Sequence, residues 1–162
     1  MQVEPLIHGA GHEHGRRAST ENVAGIVGLG EACRLAGENL VETALRLQAL
    51  RDRLYQSLMT HGVEITLNGH PTERLPNTLN VSFAGIDSNN LLAMLPEVAL
   101  STGSACHAGH TEPSSVLLAM GTDREVALGT VRFSLGRWTT AEDIDQAVTF
   151  LVERVRRLRS KS

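Results

Sequence analysis

The chain has 162 residues, a hydrophobic content of 41% and a formal net charge of -3, which are typical of an ordinary globular domain. This balance argues against a nucleic-acid-binding protein and against a disordered tail. No apolar run approaches the roughly 18 residues of a membrane span, and the start lacks a signal-peptide hydrophobic segment. With only two cysteines, Cys33 and Cys106, the sequence predicts a reducing, cytoplasmic setting without a disulfide framework.

The basic residues are almost all arginines, which limits the reactions that a lysine amine could support. All but one of the 15 are arginines, and the exception is Lys161, near the end of the sequence. We therefore predict that a reaction needing a buried lysine amine is not completed by these residues alone.

The first third of the chain predicts a polar loop followed by two helices. Residues 8–17 form a glycine-spaced loop, and residues 19–22 supply capping side chains for a small-residue helix at 23–36. A long amphipathic helix is predicted at 38–59, because its leucines recur at three- and four-residue spacing. Its predicted core stripe is Leu40, Ala44, Leu47, Leu50, Leu54 and Leu58, with Arg46, Arg51, Asp52 and Arg53 largely on other faces.

The rest of the chain predicts a small sheet and a final long helix. Thr140 to Asp143 form a capping box for that helix, whose apolar stripe is Ile144, Val148, Leu151, Val155 and Leu158. The predicted fold class is α/β, with a few-stranded sheet covered by helices and preceded by a long helix. The predicted strands are 63–67, 78–83, 98–100 and 130–135, and the predicted helices are 88–95, 113–118 (begun by a proline) and 142–159.

Cys106 is the first candidate functional residue. It follows Gly103, Ser104 and Ala105, and small residues of this kind are typical of a loop in which a thiol can reach a substrate. The alternative is a small buried hydrophobic residue, which is the better interpretation of Cys33.

Arg132 is the second candidate. It alternates with Val131 and Phe133 in a predicted strand, so its side chain points to the opposite face. It is either a solvent-facing strand residue or a guanidinium fork for a substrate carboxylate. The glycine- and hydroxyl-rich residues 9–22, which end at a helix start, are a further candidate anion site of low specificity.

A metal site is an alternative for the histidine-rich segments. Its ligands would be Cys106, His107 and His110, with His8, His12 and His14 as further possibilities. Their spacing matches no closed zinc motif, so we predict no metal.

Four motifs occur in the order typical of one family. Residues 6–30 resemble the loop and glycine-bearing helix of class V aminotransferase-like cysteine desulfurases, the NifS/IscS-like group. Residues 74–80 (RLPNTLN), 101–106 (STGSAC) and 131–140 (VRFSLGRWTT) resemble three further motifs of that group. The segment 113–118 (PSSVLL) also resembles selenocysteine lyases, which are close relatives.

This resemblance implies a pyridoxal 5'-phosphate enzyme of fold type I that takes sulfur from L-cysteine, or selenium from selenocysteine, and releases alanine. It implies that Cys106 becomes a persulfide, that Arg132 binds the substrate carboxylate, and that Thr20 contacts the cofactor phosphate of the neighbouring subunit in a homodimer. The implied partners are a sulfur acceptor or an iron–sulfur scaffold protein.

The chain departs from the family pattern at four positions of its first loop. Ala10, His12 and His14 replace a glycine, a glutamine and an arginine, and Ser19 replaces the glycine before Thr20. We expect the change at Ser19 to matter, because a glycine there can supply a positive φ for the turn that presents Thr20.

The family's cofactor lysine lies upstream of the matched motifs. Residues 1–37 are therefore predicted to be a remnant of the large domain, and residues 38–162 the connecting helix and small domain with the cysteine loop. The chain alone is predicted to be inactive and to work as a homodimer or with an N-terminal half.

The alternatives are a non-enzymatic persulfide carrier and a segment of a selenocysteine lyase. Apolar surface on helices 23–36 and 38–59 predicts self-association.

Overall fold

A computed structural model describes residues 4–103 and 112–160 of the chain. The chain divides into two compact units, Met1–Leu40 and Val41–Ser162. In the described ranges, no helix is both long and apolar enough to cross a bilayer. The assignment of residues 1–37 to a larger domain stays a prediction.

The first unit contains a tight turn, α1 (His12–Gly15), and a helix, α2 (Val23–Glu38). The predicted helix at 23–36 is confirmed and extends two residues further. It begins where the sequence predicts, because the Asn22 side chain accepts a hydrogen bond of 3.0 Å from the Gly25 amide. In α1, Glu13 and His14 have φ values of +51° and +58°, which are left-handed and unusual for residues with a Cβ.

No residue of α2 is buried. The interpretation of Cys33 as a small buried hydrophobic residue is therefore wrong, because its side chain is exposed on this helix. The large apolar side chains of α2 are more than two-fifths exposed, from 45% for Leu35 to 66% for Leu29. The predicted apolar surface is therefore present on this helix, and self-association through it stays a prediction.

In its described residues, the second unit has a three-stranded antiparallel sheet and five helices. The strand order is β1-β2-β3, with Val81 of β2 opposite Leu67 of β1 and Val131 of β3. The strands are β1 (Ile65–Leu67), β2 (Thr78–Phe83) and β3 (Thr130–Ser134), and the helices are α3 (Leu40–Thr60), α4 (Ser88–Ala93), α5 (Ser115–Ala119), α6 (Arg124–Leu128) and α7 (Ala141–Arg159).

The sheet has one apolar and one polar face, as the two-residue period of the strands requires. On the apolar face, the alternate residues of β2 and β3 join side chains of α3 and α7 in a single buried cluster, whose members from the two predicted stripes are Leu47, Leu50, Leu54, Leu58, Ile144, Val148, Leu151 and Val155. Leu40 was predicted to belong to the stripe of α3 but is exposed. The polar face carries the intervening side chains of β2 and β3: Thr78, Asn80, Ser82, Thr130, Arg132 and Ser134. The core therefore lies on one side of the sheet, and the polar side chains of β2 and β3 lie on the other.

Several predicted elements are confirmed. The fold class, a small α/β sheet covered by helices and preceded by a long helix, is the observed one. The strand at 78–83 has the predicted bounds. Thr140 caps α7, accepting from the Asp143 amide at 3.1 Å while its own amide donates to the Asp143 carboxylate at 2.9 Å, so the capping box is confirmed.

The strand predicted at residues 98–100 is wrong. Pro96 follows α4, and the Val98 amide donates to the Leu95 carbonyl in a turn, so the segment does not enter the sheet. Val98 and Leu100 still pack against the core, which explains their apolar character. Only Ser101 pairs with a strand, as an isolated bridge to Arg132.

Two predictions about helices are also corrected. Arg51 of α3 is buried with 6% of its surface exposed, although the spacing predicted that it would lie mainly on another face. Its guanidinium is satisfied there by the Leu75 carbonyl at 3.0 Å and by Asp52. The helix predicted to start at Pro113 begins at Ser115, because Ser114 occupies the capping position with an extended ψ of 120°.

Candidate functional site

Arg132 lies in the middle of β3 with its side chain on the polar face. Its neighbours Val131 and Phe133 are buried, and Arg132 itself is exposed, as the alternation of the sequence predicts. Within residues 4–103 and 112–160, its guanidinium forms neither a hydrogen bond nor an ion pair. The five N–H donors of this side chain are therefore available to an anionic ligand.

Ser101 pairs with Arg132 on the edge of β3 opposite β2. The Arg132 amide donates to the Ser101 carbonyl at 2.7 Å, and the Ser101 amide donates to the Arg132 carbonyl at 3.1 Å. The Ser101 hydroxyl donates to the Gly103 carbonyl at 2.7 Å, and the Thr102 hydroxyl donates to Oδ1 of Asn89 in α4 at 3.3 Å. The chain is thus held beside Arg132 just before the predicted cysteine loop.

Cys106, His107 and His110 lie outside the described residues. The described chain resumes at Glu112, whose carboxylate forms an ion pair of 2.8 Å with Arg124 of α6. Both partners are more than half exposed, so this pair contributes little to stability.

A network of amides and hydroxyls on the polar face lies next to Arg132. Nδ2 of Asn68 donates to Oδ1 of Asn80 at 2.8 Å and to Oγ of Ser82 at 2.9 Å. The hydroxyls of Ser82 and Thr130 are 2.7 Å apart. In the sequence, Asn68 and Gly69 form a dipeptide that is typical of a turn, and Asn80 lies in the strand predicted at 78–83. The two-residue period of β2 and β3 was the available signal, because it assigns Asn80 and Arg132 to alternating positions of neighbouring strands.

Arg74 holds the turn that carries Asn68. Its guanidinium donates to the carbonyls of Asn68 at 3.0 Å and of His70 at 2.6 Å. Burial lowers the pKa of the Arg74 guanidinium, and the positive charge of Arg51 lowers this pKa further. The side chain stays cationic at neutral pH, because the ordinary pKa of an arginine lies far above neutral.

Thr20 belongs to the first unit and is exposed, two residues before the helix-capping Asn22. Ser19, directly before it, has a φ of +78°. Ser19 therefore has the positive φ that a glycine would supply, and the expected effect of this change on the turn that presents Thr20 stays a prediction. Glu21, on the other side of Thr20, lies 3.1 Å from Nδ1 of His12.

No group of three histidine, cysteine, aspartate or glutamate side chains converges on a metal geometry in the part of the chain that the structure describes. Three of the ligands considered from the sequence, Cys106, His107 and His110, fall outside that part.

Several clefts open beside the sheet, and two of them have similar volumes. One, of about 380 Å³, is lined by Thr66, Ser82 and Asp87 among others, near the ends of β1 and β2. The other, of about 370 Å³, lies between Leu54, Phe133 and Phe150 and is mainly apolar. Arg132 lines neither of these two clefts. Its side chain is exposed on the polar face of the sheet.

Residues 5–147 match the family model described as aminotransferase class V. The chain belongs to that family. The resemblance that the four sequence motifs carry is therefore confirmed at the level of the whole chain.

The relatives that match the chain include cysteine desulfurases and NifS-like proteins. Cysteine desulfurase IscS of Methanosarcina thermophila is 45% identical over 168 residues, covering 100% of this chain and 40% of that protein. The structure of a NifS-like protein matches with a TM-score of 0.77 at 36% identity, over 98% of this chain and 40% of the other. A NifS-like protein from Rickettsia africae matches with a TM-score of 0.78 at 29% identity, over 95% and 40% of the two chains.

The chain therefore spans about 40% of the length of the relatives it matches. Its fold is the corresponding part of the fold of these NifS-like enzymes, as predicted from the motifs.

Proposed function

We propose that this chain supplies the substrate-carboxylate and sulfur-accepting residues of a cysteine desulfurase. Arg132 binds the carboxylate of L-cysteine, and Cys106 receives its sulfur. The observation that carries the proposal is the bridge between Ser101 and Arg132, which joins the start of the cysteine segment to the strand that bears the guanidinium.

The chain length between these groups suits such a reaction. Cys106 follows Ser101 by five residues, so its Cα lies within about 18 Å of the Ser101 Cα even for a fully extended chain. A thiol tethered at this distance reacts at a high effective concentration with a substrate bound at Arg132.

Arg132 suits a carboxylate for two reasons. It is cationic at all physiological pH values, and its planar fork can donate two parallel hydrogen bonds to the two carboxylate oxygens. It is also unpaired among the described residues, so binding does not require an existing ion pair to break.

The overall reaction is a transfer of one sulfur atom. The thiol of Cys106 and L-cysteine become a Cys106 persulfide and alanine, so the C–S bond of the substrate breaks as the S–S bond forms. The thiolate is the reactive form of a cysteine, so the transfer depends on deprotonation of Cys106.

The described residues do not by themselves form a pyridoxal-phosphate site. They include no lysine, since Lys161 lies outside them, and a Schiff base to the cofactor requires a lysine amine. The proposal assigns that amine to a polypeptide part that these 162 residues do not contain. Thr20 is the one residue here proposed to contact the cofactor, through the phosphate of a neighbouring subunit, and its exposed position before α2 supports that role.

The test compares the chain alone with the chain supplied with a lysine-bearing N-terminal part from a cysteine desulfurase of the family. L-cysteine and pyridoxal phosphate are added, alanine is measured by chromatography, and Cys106 is examined by mass spectrometry for one added sulfur atom. We expect no alanine from the chain alone, and both alanine and a persulfide on Cys106 from the combination. Cys106→Ser should abolish both, and Cys33→Ser should leave both unchanged.

Each other result has a definite meaning. Alanine release by the pure chain would disprove the proposal that the cofactor lysine belongs to another part of the polypeptide. A persulfide on Cys106 that forms from another persulfidated protein, without any alanine, would instead establish a sulfur carrier. Faster turnover of selenocysteine than of cysteine would assign the chain to a selenocysteine lyase.

A further inference from the structure

We propose that Asn80 is a second ligand of the substrate carboxylate, with its Nδ2 amino group donating a hydrogen bond beside the Arg132 guanidinium. This inference rests on the proposed function, because it concerns the same substrate group. It adds a residue of β2 to a site that the sequence motifs assign to β3 alone.

Asn80 and Arg132 lie directly opposite each other in the sheet. The amide and carbonyl of Arg132 are both used by Ser101 on the outer edge, so they do not pair with Asn80. The carbonyl of Asn80 likewise points away from β3, accepting from the Asn68 amide at 3.0 Å. The two residues are therefore a non-hydrogen-bonded antiparallel pair, whose Cα atoms are about 4.5 Å apart and whose side chains are close neighbours.

The orientation of the Asn80 amide follows from its hydrogen bond to Asn68. Oδ1 of Asn80 accepts from Nδ2 of Asn68, which lies on the β1 side. Rotating the Asn80 amide alone by half a turn would put two amino groups together, so the orientation of Asn80 is tied to that of Asn68. With Oδ1 committed to the β1 side, Nδ2 is turned away from Asn68, towards the side on which β3 carries Arg132.

Neither donor has an acceptor. In the described part of the chain, Nδ2 of Asn80 donates to no atom, and the Arg132 guanidinium is also unpaired. Asn80 is half-buried, and no buried side-chain nitrogen or oxygen of the described residues lacks a partner, so Nδ2 remains open to solvent. Two adjacent unsatisfied donors on one face favour a ligand that offers several acceptor oxygens and negative charge, as a carboxylate does.

The network around Asn80 holds this arrangement in place. Nδ2 of Asn68 also donates to Ser82, whose hydroxyl pairs with Thr130, and Arg74 holds the Asn68 carbonyl. The Asn80 donor is thus positioned before any ligand arrives, which reduces the entropy lost on binding.

The experiment titrates the ¹⁵N-labelled chain with L-alanine, which has the carboxylate and amino groups of the substrate but no thiol. The signals followed by NMR are the Asn80 side-chain NH₂ and the Arg132 Nε–H. L-alaninamide, which lacks the carboxylate, is the ligand control. We expect saturable shifts of both signals with L-alanine and none with L-alaninamide.

Asn80→Ala and Asn68→Ala form a matched pair, because both remove the Asn68–Asn80 hydrogen bond but only Asn80→Ala removes the donor. We expect the Kd for L-alanine to rise about tenfold in Asn80→Ala and less than about threefold in Asn68→Ala. Asn90→Ala, an exposed position of α4, should leave the Kd unchanged. If Asn80→Ala does not fold, the nearly isosteric Asn80→Asp replaces it; it keeps the acceptor for Asn68, and its Kd should rise more than tenfold.

Equal losses in Asn80→Ala and Asn68→Ala would show that Asn80 has only a structural role and would overturn the inference. So would an unchanged Kd in Asn80→Ala with binding lost in Arg132→Ala, a result that leaves the proposed function standing. An absence of carboxylate-dependent shifts in the unsubstituted chain would also overturn it. The persulfide on Cys106 tests the proposed function separately, because its detection does not depend on Asn80.

Discussion

Arg53 of α3 and Asp145 of α7 form a two-point ion pair between the two long helices of the second unit. Nε of Arg53 donates to Oδ1 of Asp145 at 2.8 Å, and its Nη2 donates to Oδ2 at 2.7 Å. The hydrogen bonds from Arg53 lower the pKa of the Asp145 carboxyl, and Asp145 raises the pKa of Arg53. About half of each side chain is exposed, so the pair is screened by solvent and its contribution is modest.

The first prediction concerns Asp145→Asn. Because the pKa of Asp145 is lowered in the folded state, the pair stabilises the fold above the ordinary aspartate pKa and is lost as the pH falls through the folded-state pKa. We expect a lower Tm for Asp145→Asn near neutral pH and no difference in strong acid, as measured by circular dichroism. Asp123→Asn, whose side chain makes no capping hydrogen bond, is the control and should show no such dependence. A difference that persists at the lowest pH would contradict the assignment.

The second prediction is a stabilising substitution, Ser19→Gly. The φ of +78° at Ser19 costs a residue with a Cβ about 1 kcal/mol, and glycine avoids that cost. We expect a gain of about 1 kcal/mol in the free energy of unfolding of the first unit, measured by hydrogen exchange of the α2 amides. Ser114→Gly, at a φ of -56°, is the matched control and should be neutral or slightly destabilising. A gain of the same size in both variants would exclude backbone strain as the cause.

The third prediction is a severe loss in Gly129→Ala. A Cβ at Gly129 would lie 2.4 Å from the Phe83 carbonyl oxygen and 2.9 Å from that of Ile86, and both are backbone atoms. The Gly129 carbonyl accepts from the Phe83 amide at 2.9 Å, so moving the two chains apart would also break this hydrogen bond. We expect about 3 kcal/mol or more of destabilisation in urea unfolding. Gly136→Ala, which has open space around its Cβ, should change stability by less than about 1 kcal/mol.

The fourth prediction is that Arg51→Lys destabilises the second unit although it keeps the charge. Arg51 uses different nitrogens for the Leu75 carbonyl and for Asp52, and a single lysine amine cannot reproduce this fork. We expect a loss of about 1–3 kcal/mol in urea unfolding. Arg157→Lys, at an exposed position of α7, should be neutral. Equal stability of both variants would mean that only the charge of Arg51 matters.

Local signals in the sequence predicted the fold well. The bounds of β2 and the capping box of Thr140 and Asp143 follow from short-range patterns, and the core stripe of α7 follows from helical spacing. The strand predicted at 98–100 is wrong because an apolar triplet that packs on a core resembles a strand, whether or not it forms sheet hydrogen bonds. Arg51 was misplaced because spacing alone does not reveal the Leu75 carbonyl that makes its burial acceptable.

The candidate site was predictable only in part. Alternation along β3 was sufficient to predict that Arg132 points away from the core. The neighbourhood of Asn80 depends on the register between β2 and β3, which is decided by contacts between distant parts of the chain and cannot be read from either strand alone. The side-chain orientation of Asn80 depends further on Asn68, which the sequence suggested only as part of a turn.

The division of the sheet into an apolar and a polar face has a consequence for substitutions. Leu79, Val81 and Phe83 belong to the buried cluster, so substitutions there disturb the core. Asn80 and Arg132, on the opposite face, lie outside this cluster. Substitutions on the polar face can therefore alter ligand preference while the packing of the core stays the same.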